Sequence, residues 1–166
     1  PKYFLVGLPD SAVKEGEQRI ESAIVNSGYR MPRLKLVINL APADIRKEGS
    51  AYDLPIAMAI LACSNQMVTD QVENFIMMGE LALDGAIRPI KGALPIAIQT
   101  RKEKFKGLIV PKENAREAAI VNDLAVYGVS NLQEAIAVVE GKETTQPEAL
   151  DTRDDFSVSL NSYALD

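Results

Sequence analysis

The chain has 166 residues and a formal net charge of -5, with 47% hydrophobic and 25% charged residues. These values are typical of one globular domain with a proper core, and they leave no excess of positive charge for a large phosphate-binding surface. The sequence contains no histidine and no Gly-Lys-Ser/Thr P-loop. Ser-His-Asp and Cys-His nucleophile systems, the usual zinc sites and Walker-type nucleotide binding are therefore excluded within it.

A single cysteine, Cys63, falls in an apolar stretch of the sequence. With no second cysteine an internal disulfide is not available, and we expect a reducing, cytoplasmic location. No apolar run approaches the length needed to cross a bilayer, so we expect no membrane partner.

A long helix is predicted near the N-terminus. Asp10 or Ser11 is expected to cap it, apolar residues recur at helical spacing as far as about Ser27, and Gly28 is expected to end it. Gly16 lies inside this helix, where glycine costs about 1 kcal/mol relative to alanine. We therefore expect a close contact at that position.

Strands and helices alternate along the rest of the chain. Asp84-Gly85 predicts a tight hairpin turn. The predicted strands are 2–8, 34–40, 75–83, 86–90, 108–110 and 125–127, and the further predicted helices are 55–63, 92–104, 113–121 and 131–140. This alternation predicts an α/β fold with parallel βα units.

The crossing from the strand at 34–40 to the helix at 55–63 concentrates polar residues, as binding loops of α/β folds do. It holds Asp44, Arg46, Lys47, Glu48, Ser50 and Asp53. Asp53 is predicted to be the N-cap of the helix that follows. The charged residues before it suit an ion-pair cluster that fixes the loop, a polar subunit contact or a ligand site. A strand-borne carboxylate needs a partner, so Glu80 is predicted to pair with Arg46 or Lys47.

Residues 142–166 differ in composition from the preceding chain, being polar and acidic without a periodic pattern. We interpret 1–141 as the folded domain and 142–166 as a linker or tail.

Three stretches together resemble one protein family. They are Val6-Gly-Leu-Pro-Asp-Ser-Ala-Val-Lys-Glu15, the segment 39–55, and Gly79-Glu-Leu-Ala-Leu-Asp-Gly-Ala-Ile-Arg-Pro-Ile-Lys-Gly92. The sequence resembles, over roughly residues 3–141, the N-terminal domain of the YifB/ComM proteins, the magnesium-chelatase-like AAA+ ATPases.

The resemblance implies a fold and an assembly. The domain is similar to the Lon protease catalytic domain and to the C-terminal domain of RadA, so the implied fold is the α+β sandwich of ribosomal protein S5 domain 2. It further implies that the tail leads to an AAA+ ATPase module outside this sequence. That module would bind ATP and Mg²⁺, whereas this domain would hold no cofactor and no metal. The full-length protein would be a homo-hexamer that acts on DNA.

The resemblance to Lon also indicates whether this domain could be a peptidase. When the Lys-Asp-Gly-Pro-Ser-Ala-Gly motif of Lon is laid over 47–53, its nucleophile falls on Ala51. When Pro-Ile-Gly-Gly-Leu is laid over 89–93, the catalytic lysine falls on Leu94. A methyl group cannot attack a carbonyl and an isobutyl group cannot take a proton, so the resemblance implies a non-catalytic domain.

Two alternatives remain open at this point. Ser50 lies one residue out of register, and with Lys47 or Lys91 as its base it would give a Ser-Lys peptidase. A DNA-binding module would instead use a basic face, whose candidates are Arg88, Lys91, Arg101 and Lys102. The last two also suit the C-terminal turn of a helix, where cations are favoured in any case.

Overall fold

Residues 2–68, 70–142 and 145–149 are described by a computed structural model, in which they form an α/β fold, as the sequence predicts. The strands are β1 (Tyr3–Val6), β2 (Leu36–Asn39), β3 (Phe75–Met77), β4 (Glu80–Leu81), β5 (Ile87–Arg88), β6 (Gly107–Pro111) and β7 (Ala125–Val129). The α-helices are α1 (Ser11–Asn26), α2 (Asp53–Cys63), α3 (Ala93–Lys102), α4 (Lys112–Ala118) and α5 (Leu132–Val139), and a 3₁₀ turn covers Val72–Asn74.

Three small sheets carry the strands. β1 and β2 pair in parallel, β3, β6 and β7 form a parallel sheet in the order β3-β6-β7, and β4 and β5 form an antiparallel hairpin. The parallel βα units predicted from the alternating pattern are confirmed. The Asp84-Gly85 turn is confirmed as well, because Gly85 has φ 94° and the Ala82 N–H donates to the Ala86 carbonyl over 2.8 Å.

The β3-β6-β7 sheet separates two hydrophobic clusters. Phe75, Met77 and Ile109 point into the larger cluster with α1, α2 and α5. Leu108 and Val126 point to the other face, where α3 and α4 cover them. All five residues of β6 are buried, as expected for the central strand of a parallel sheet with helices on both faces.

The strand predicted over 75–83 is divided into β3 and β4. Between them the Gly79 N–H donates to the Ala51 carbonyl over 2.9 Å, and the Gly79 carbonyl accepts from the Leu54 N–H over 3.0 Å. A Cβ atom at Gly79 would lie 2.8 Å from Cγ2 of Ile87. The chain therefore leaves the sheet at this glycine in order to bind the start of α2.

The N-terminal helix forms as predicted. Asp10 is its N-cap, with Oδ1 accepting from the Val13 N–H over 2.9 Å, and Gly28 follows the helix with φ 89°. At the other end of the domain α5 is capped by Asn131, whose side chain accepts from the Glu134 N–H over 2.9 Å.

Of the predicted linker or tail at 142–166, only 142 and 145–149 belong to the described residues, so the boundary at 141 stays a prediction. These few residues contain no helix or strand, and the Glu148 N–H donates to the Val126 carbonyl over 2.6 Å. Within the described ranges, no helix has the length and apolar character needed to cross a membrane.

Candidate functional site

A buried ion pair joins α1 to the start of α2. Nε of Arg19 donates to Oδ2 of Asp53 over 2.7 Å, and Nη2 donates to Oδ1 over 3.1 Å. The Asp53 side chain is 2% exposed and the Arg19 side chain 19%. The Leu81 N–H on β4 also donates to Oδ2, over 3.1 Å. One carboxylate thus holds two helices and a hairpin together.

The prediction that Asp53 is an N-cap was wrong. Tyr52 takes the cap position without a side-chain hydrogen bond, and Asp53 is the first residue of α2. A carboxylate in the first turn still suits the helix dipole. Its oxygens, however, bind Arg19 and Leu81, which lie outside the helix, so the side chain ties elements together rather than ending one.

The surroundings of the ion pair shift three pKa values. Burial raises the pKa of Asp53, and hydrogen bonds from Arg19 and from the Leu81 N–H offset part of that rise. The hydrogen bond to Asp53 raises the pKa of Arg19. Burial, with the negative charges of Glu17 and Asp53, raises the pKa of Tyr3 to about 12. The Tyr3 hydroxyl is buried, and it makes no hydrogen bond to the residues described.

Glu80 does not pair with Arg46 or Lys47, so that prediction was wrong. The charge of Glu80 acts on the Arg19–Asp53 pair, raising the pKa of both partners. The hairpin carries Glu80 on β4, next to Leu81, whose amide binds Asp53. The loop that contains Arg46 and Lys47 contacts the end of β1 and the cap of α1 instead.

Lys47 is 4% exposed, which is unusual for a lysine. Its ammonium group donates to the Pro42 carbonyl, within the same loop. Its backbone bonds to Leu8 and Asp10, each over 2.9 Å, and Asp10 also accepts from the Gly49 N–H over 3.1 Å. Lys47 therefore anchors the loop from inside.

The other charged residues of this loop are exposed. Arg46 and Glu48 form an ion pair at 3.4 Å with side chains 69% and 71% exposed, and a pair of this kind contributes little to stability. The exposed Asp44 side chain makes no ion pair or hydrogen bond with the residues described. The loop is fixed by Lys47 and by its backbone rather than by these charges.

The structure does not join Ser50 to a lysine. Ser50 is half-buried, and its hydroxyl makes no hydrogen bond within the described ranges, although its carbonyl accepts from the Asp53 N–H over 3.1 Å. The Lys47 ammonium group is bound to Pro42, and Lys91 is exposed. A nucleophile and its base need a hydrogen bond, directly or through one water, when the substrate is in place.

Ala51 and Leu94, the positions predicted to correspond to the Lon dyad, have different neighbours. The Ala51 carbonyl binds the Gly79 N–H at the end of β3, whereas the Leu94 N–H binds Glu117 on α4 over 3.3 Å. Both residues are half-buried. Their side chains supply neither a nucleophile nor a proton acceptor.

The four basic candidates fall at the two ends of α3. Arg88 on β5 and Lys91 precede the helix, and Arg101 and Lys102 form its last turn. All four are exposed. At 1.5 Å per residue the ten-residue helix is about 15 Å long, so the two pairs form separate patches. Arg101 also donates weakly to the Asn122 carbonyl, over 3.5 Å.

No group of three acidic, cysteine or histidine side chains that could hold a metal ion occurs in the described part of the chain.

Arg19 and Tyr3 were not predicted from the sequence. Together with Asp53 they form what we call the polar centre of the domain. The one signal was Gly16, a glycine inside a helix, for which a close contact was predicted. That contact is confirmed, because a Cβ atom at Gly16 would lie 2.7 Å from Oδ1 of Asp53. The residue that makes the contact could not be read from the glycine alone.

The fold and these contacts define an α/β domain whose polar centre is a paired carboxylate. Residues 1–114 match the family described as subunit ChlI of Mg-chelatase, and the chain belongs to that family. The predicted kinship with YifB and ComM is confirmed. The chain is 44% identical over 146 residues to the uncharacterized protein YifB of Escherichia coli, an alignment covering 88% of this chain and 29% of YifB.

Two further relatives carry functional names. Competence protein ComM of Haemophilus influenzae is 40% identical over 143 residues, covering 86% of this chain and 28% of ComM. DNA repair protein RadA of Halalkalibacterium halodurans is 30% identical over 105 residues, covering 63% of this chain and 22% of RadA. The chain therefore spans less than a third of the length of these relatives.

Proposed function

We propose that this chain is a non-catalytic accessory domain of a magnesium-chelatase-like AAA+ ATPase, and that it organises a homo-hexamer together with its own ATPase module. The observation that carries the proposal is that Asp53 and Arg19 of the polar centre are bonded to each other, which leaves neither of them arranged for catalysis. Asp53 is fully engaged by Arg19 and Leu81, and the Ser50 hydroxyl has no lysine bonded to it. These interactions support a scaffold rather than a reaction centre.

In this proposal the full-length cytoplasmic protein binds ATP and Mg²⁺ in the module outside this sequence and acts on DNA during branch migration in natural transformation. The names of two relatives support the DNA part, since one is a competence protein and another a DNA repair protein. The family match supports the chelatase-like part.

The test is the oligomeric state of the full-length protein with and without residues 1–141, measured by light scattering in the presence of ATP and Mg²⁺. We expect a hexamer from the full-length protein and smaller species from the deletion variant. A hexamer of undiminished stability in the deletion variant would contradict the organising role.

Peptidase activity is the enzymatic alternative, and Ser50→Ala tests it directly. We expect neither labelling of Ser50 by a serine-directed probe nor any peptide hydrolysis that Ser50→Ala abolishes. Labelling that disappears in the variant would overturn the non-catalytic assignment.

DNA contact by this domain is a second candidate function, favoured by the exposure of Arg88 and Lys91 at one end of α3. If these residues bind phosphates, then replacing each by alanine should weaken binding to all sequences alike. Each loss should also lower the salt slope by about 1. Lys14→Ala, an exposed charge on α1, is the matched control. Equal affinities in all three variants would exclude this contact.

A further inference from the structure

The β1–β2 sheet packs on the domain with only one of its faces. On that face four alternate side chains contact the larger hydrophobic cluster: Tyr3, Leu5, Leu36 and Ile38. The side chains between them point to the other side, where Phe4 of β1 lies beside Val37 of β2 in the parallel register. Val6, two residues after Phe4, points the same way. We call Phe4, Val6 and Val37 the outer β1–β2 face.

The outer β1–β2 face is apolar and open to solvent in the described part of the chain. Phe4 is 46% exposed, Val6 49% and Val37 60%. Parallel strands are normally covered on both faces, because their crossover helices lie there. A group of exposed apolar side chains on such a sheet therefore marks a binding surface.

Positive charge lines the N-terminal end of the outer β1–β2 face. Lys2 comes just before β1, and its carbonyl accepts from the Leu36 N–H at the start of β2 over 2.7 Å, which brings Lys2 next to Lys35. Arg33 lies two residues before Lys35. The side chains of Lys2, Arg33 and Lys35 are exposed, and none of them makes an ion pair with the residues described. Three exposed cations therefore border an apolar surface.

A narrow polyanion suits this surface better than a second copy of the chain does. Residues 1–9 and 28–43 together contain four cations and no acidic residue, although acidic residues outnumber basic ones 23 to 18 in the whole chain. Three half-exposed side chains offer on the order of 300 Å², whereas each partner in a stable protein–protein interface buries about 800 Å². The charge favours phosphates, and the small area favours a single strand.

We propose that the outer β1–β2 face binds single-stranded DNA, with a base stacked on the Phe4 ring and phosphates held by Lys2, Arg33 and Lys35. The proposal rests on the DNA part of the proposed function, and it uses residues other than the basic candidates around α3. An aromatic side chain needs an unpaired base to stack on, because the bases of a duplex stack on one another.

Lys35 lies where it can serve both the ring and a phosphate. Its Nζ atom is 5.4 Å from the centroid of the Phe4 ring. An exposed cation–π contact is weaker than base stacking, so a base displaces the ammonium group from the ring. The long, flexible lysine side chain then reaches the adjoining phosphate without losing its charge partner.

Fluorescence anisotropy with a labelled oligodeoxythymidine of about 16 nucleotides, long enough for one single-strand site, tests the stacking. We expect Phe4→Leu to weaken binding about tenfold, because leucine keeps the surface apolar but offers no ring. Phe4→Tyr keeps the ring and should bind as the native chain does. Position 4 is exposed, so both variants should fold, which far-UV circular dichroism checks.

The salt dependence of the same binding tests the phosphate contacts. Lys35→Ala should lower the salt slope by about 0.7, the value for one phosphate contact on a single strand. Lys14→Ala, an exposed charge on α1, should leave the slope unchanged. Binding to a duplex of the same length should not respond to Phe4→Leu.

The outcomes separate this surface from the proposed function. Equal affinities of the native chain and Phe4→Leu for the oligonucleotide would overturn the surface and leave the DNA action of the full-length protein standing. A native chain that does not bind the oligonucleotide would contradict the surface as well, and a full-length protein that binds it all the same would keep the proposed function. Binding to phosphatidylserine vesicles in place of the oligonucleotide, or a dimer that Phe4→Leu dissociates, would assign the face to another partner and refute the proposal.

Discussion

Gly16 on α1 leaves room for the Asp53 carboxylate. A Cβ atom at position 16 would lie 2.7 Å from Oδ1 of Asp53, closer than real Cβ atoms approach an oxygen. The glycine therefore has no helix-stabilising role of its own. It allows the first residue of α2 to reach Arg19 across the face of α1.

Gly16→Ala should destabilise the protein, although alanine in a helix is otherwise favoured by about 1 kcal/mol. The added methyl group displaces the carboxylate from Arg19, and urea unfolding should show the loss. In an Asp53→Ala background the obstacle is gone, so Gly16→Ala should then be stabilising. A destabilising effect of similar size in both backgrounds would contradict the contact as its cause.

Arg19→Leu should lower the free energy of unfolding by about 3 kcal/mol or more, because it leaves the buried Asp53 carboxylate without its cation. The measurement is chemical denaturation at neutral pH. Arg46→Ala is the matched control, since it breaks an exposed ion pair and should cost less than about 1 kcal/mol. Similar losses in both variants would show that burial is not what matters.

Tyr3→Phe should retain or raise the free energy of unfolding, by up to about 1 kcal/mol, because the deleted hydroxyl is buried without a partner. The folded-state pKa of Tyr3 is raised from 10.0 to about 12. The native tyrosine is therefore destabilising once the pH rises above 10, through the window up to about 12. Denaturant midpoints over this window should fall less in Tyr3→Phe than in the native chain.

The stability of the native chain at low pH is expected to depend on the ionisation of Asp10. The hydrogen bond from the Val13 N–H is the main cause that lowers the pKa of Asp10 from its ordinary value of 3.8. The ionised Asp10 therefore stabilises the folded state above pH 3.8, and this stabilisation is lost as the pH falls through the folded-state pKa. Asp10→Ser keeps an N-cap oxygen but cannot titrate. The native chain should be the more stable of the two at pH 6, and the difference in denaturant midpoint should shrink below pH 3.8. A constant difference would contradict this.

Local signals predicted much of the fold. The α1 cap at Asp10, the stop at Gly28 and the turn at Asp84-Gly85 each depend on a few neighbouring residues, whose conformational preferences are visible in sequence. The break in the strand at Gly79 was missed, because it depends on hydrogen bonds to Ala51 and Leu54 far away in the chain.

The site was harder to predict for the same reason. Arg19 and Asp53 are 34 positions apart, and neither lies in a sequence motif from which the other could be predicted. Asp53 was predicted to be a helix cap from its position in the sequence alone. Glu80 was likewise predicted, without knowledge of the packing, to pair with a loop whose cations bind other groups. Burial of Lys47 was equally hidden, since its position in a charged run is typical of a solvated loop. The position of a side chain between elements is set by their packing, which a local pattern does not contain.

The ion pair also bears on how this domain could change over generations. In the Lon motif laid over 47–53, the position of Asp53 is a glycine. A glycine at this position would leave the Arg19 guanidinium without its carboxylate. Removing Arg19 first would leave the carboxylate unpaired in the interior. Each single substitution therefore passes through a less stable form, and the two residues can be exchanged without that loss only when they change together. Introducing a serine at 51 and a lysine at 94 would leave this constraint on Arg19 and Asp53 in place.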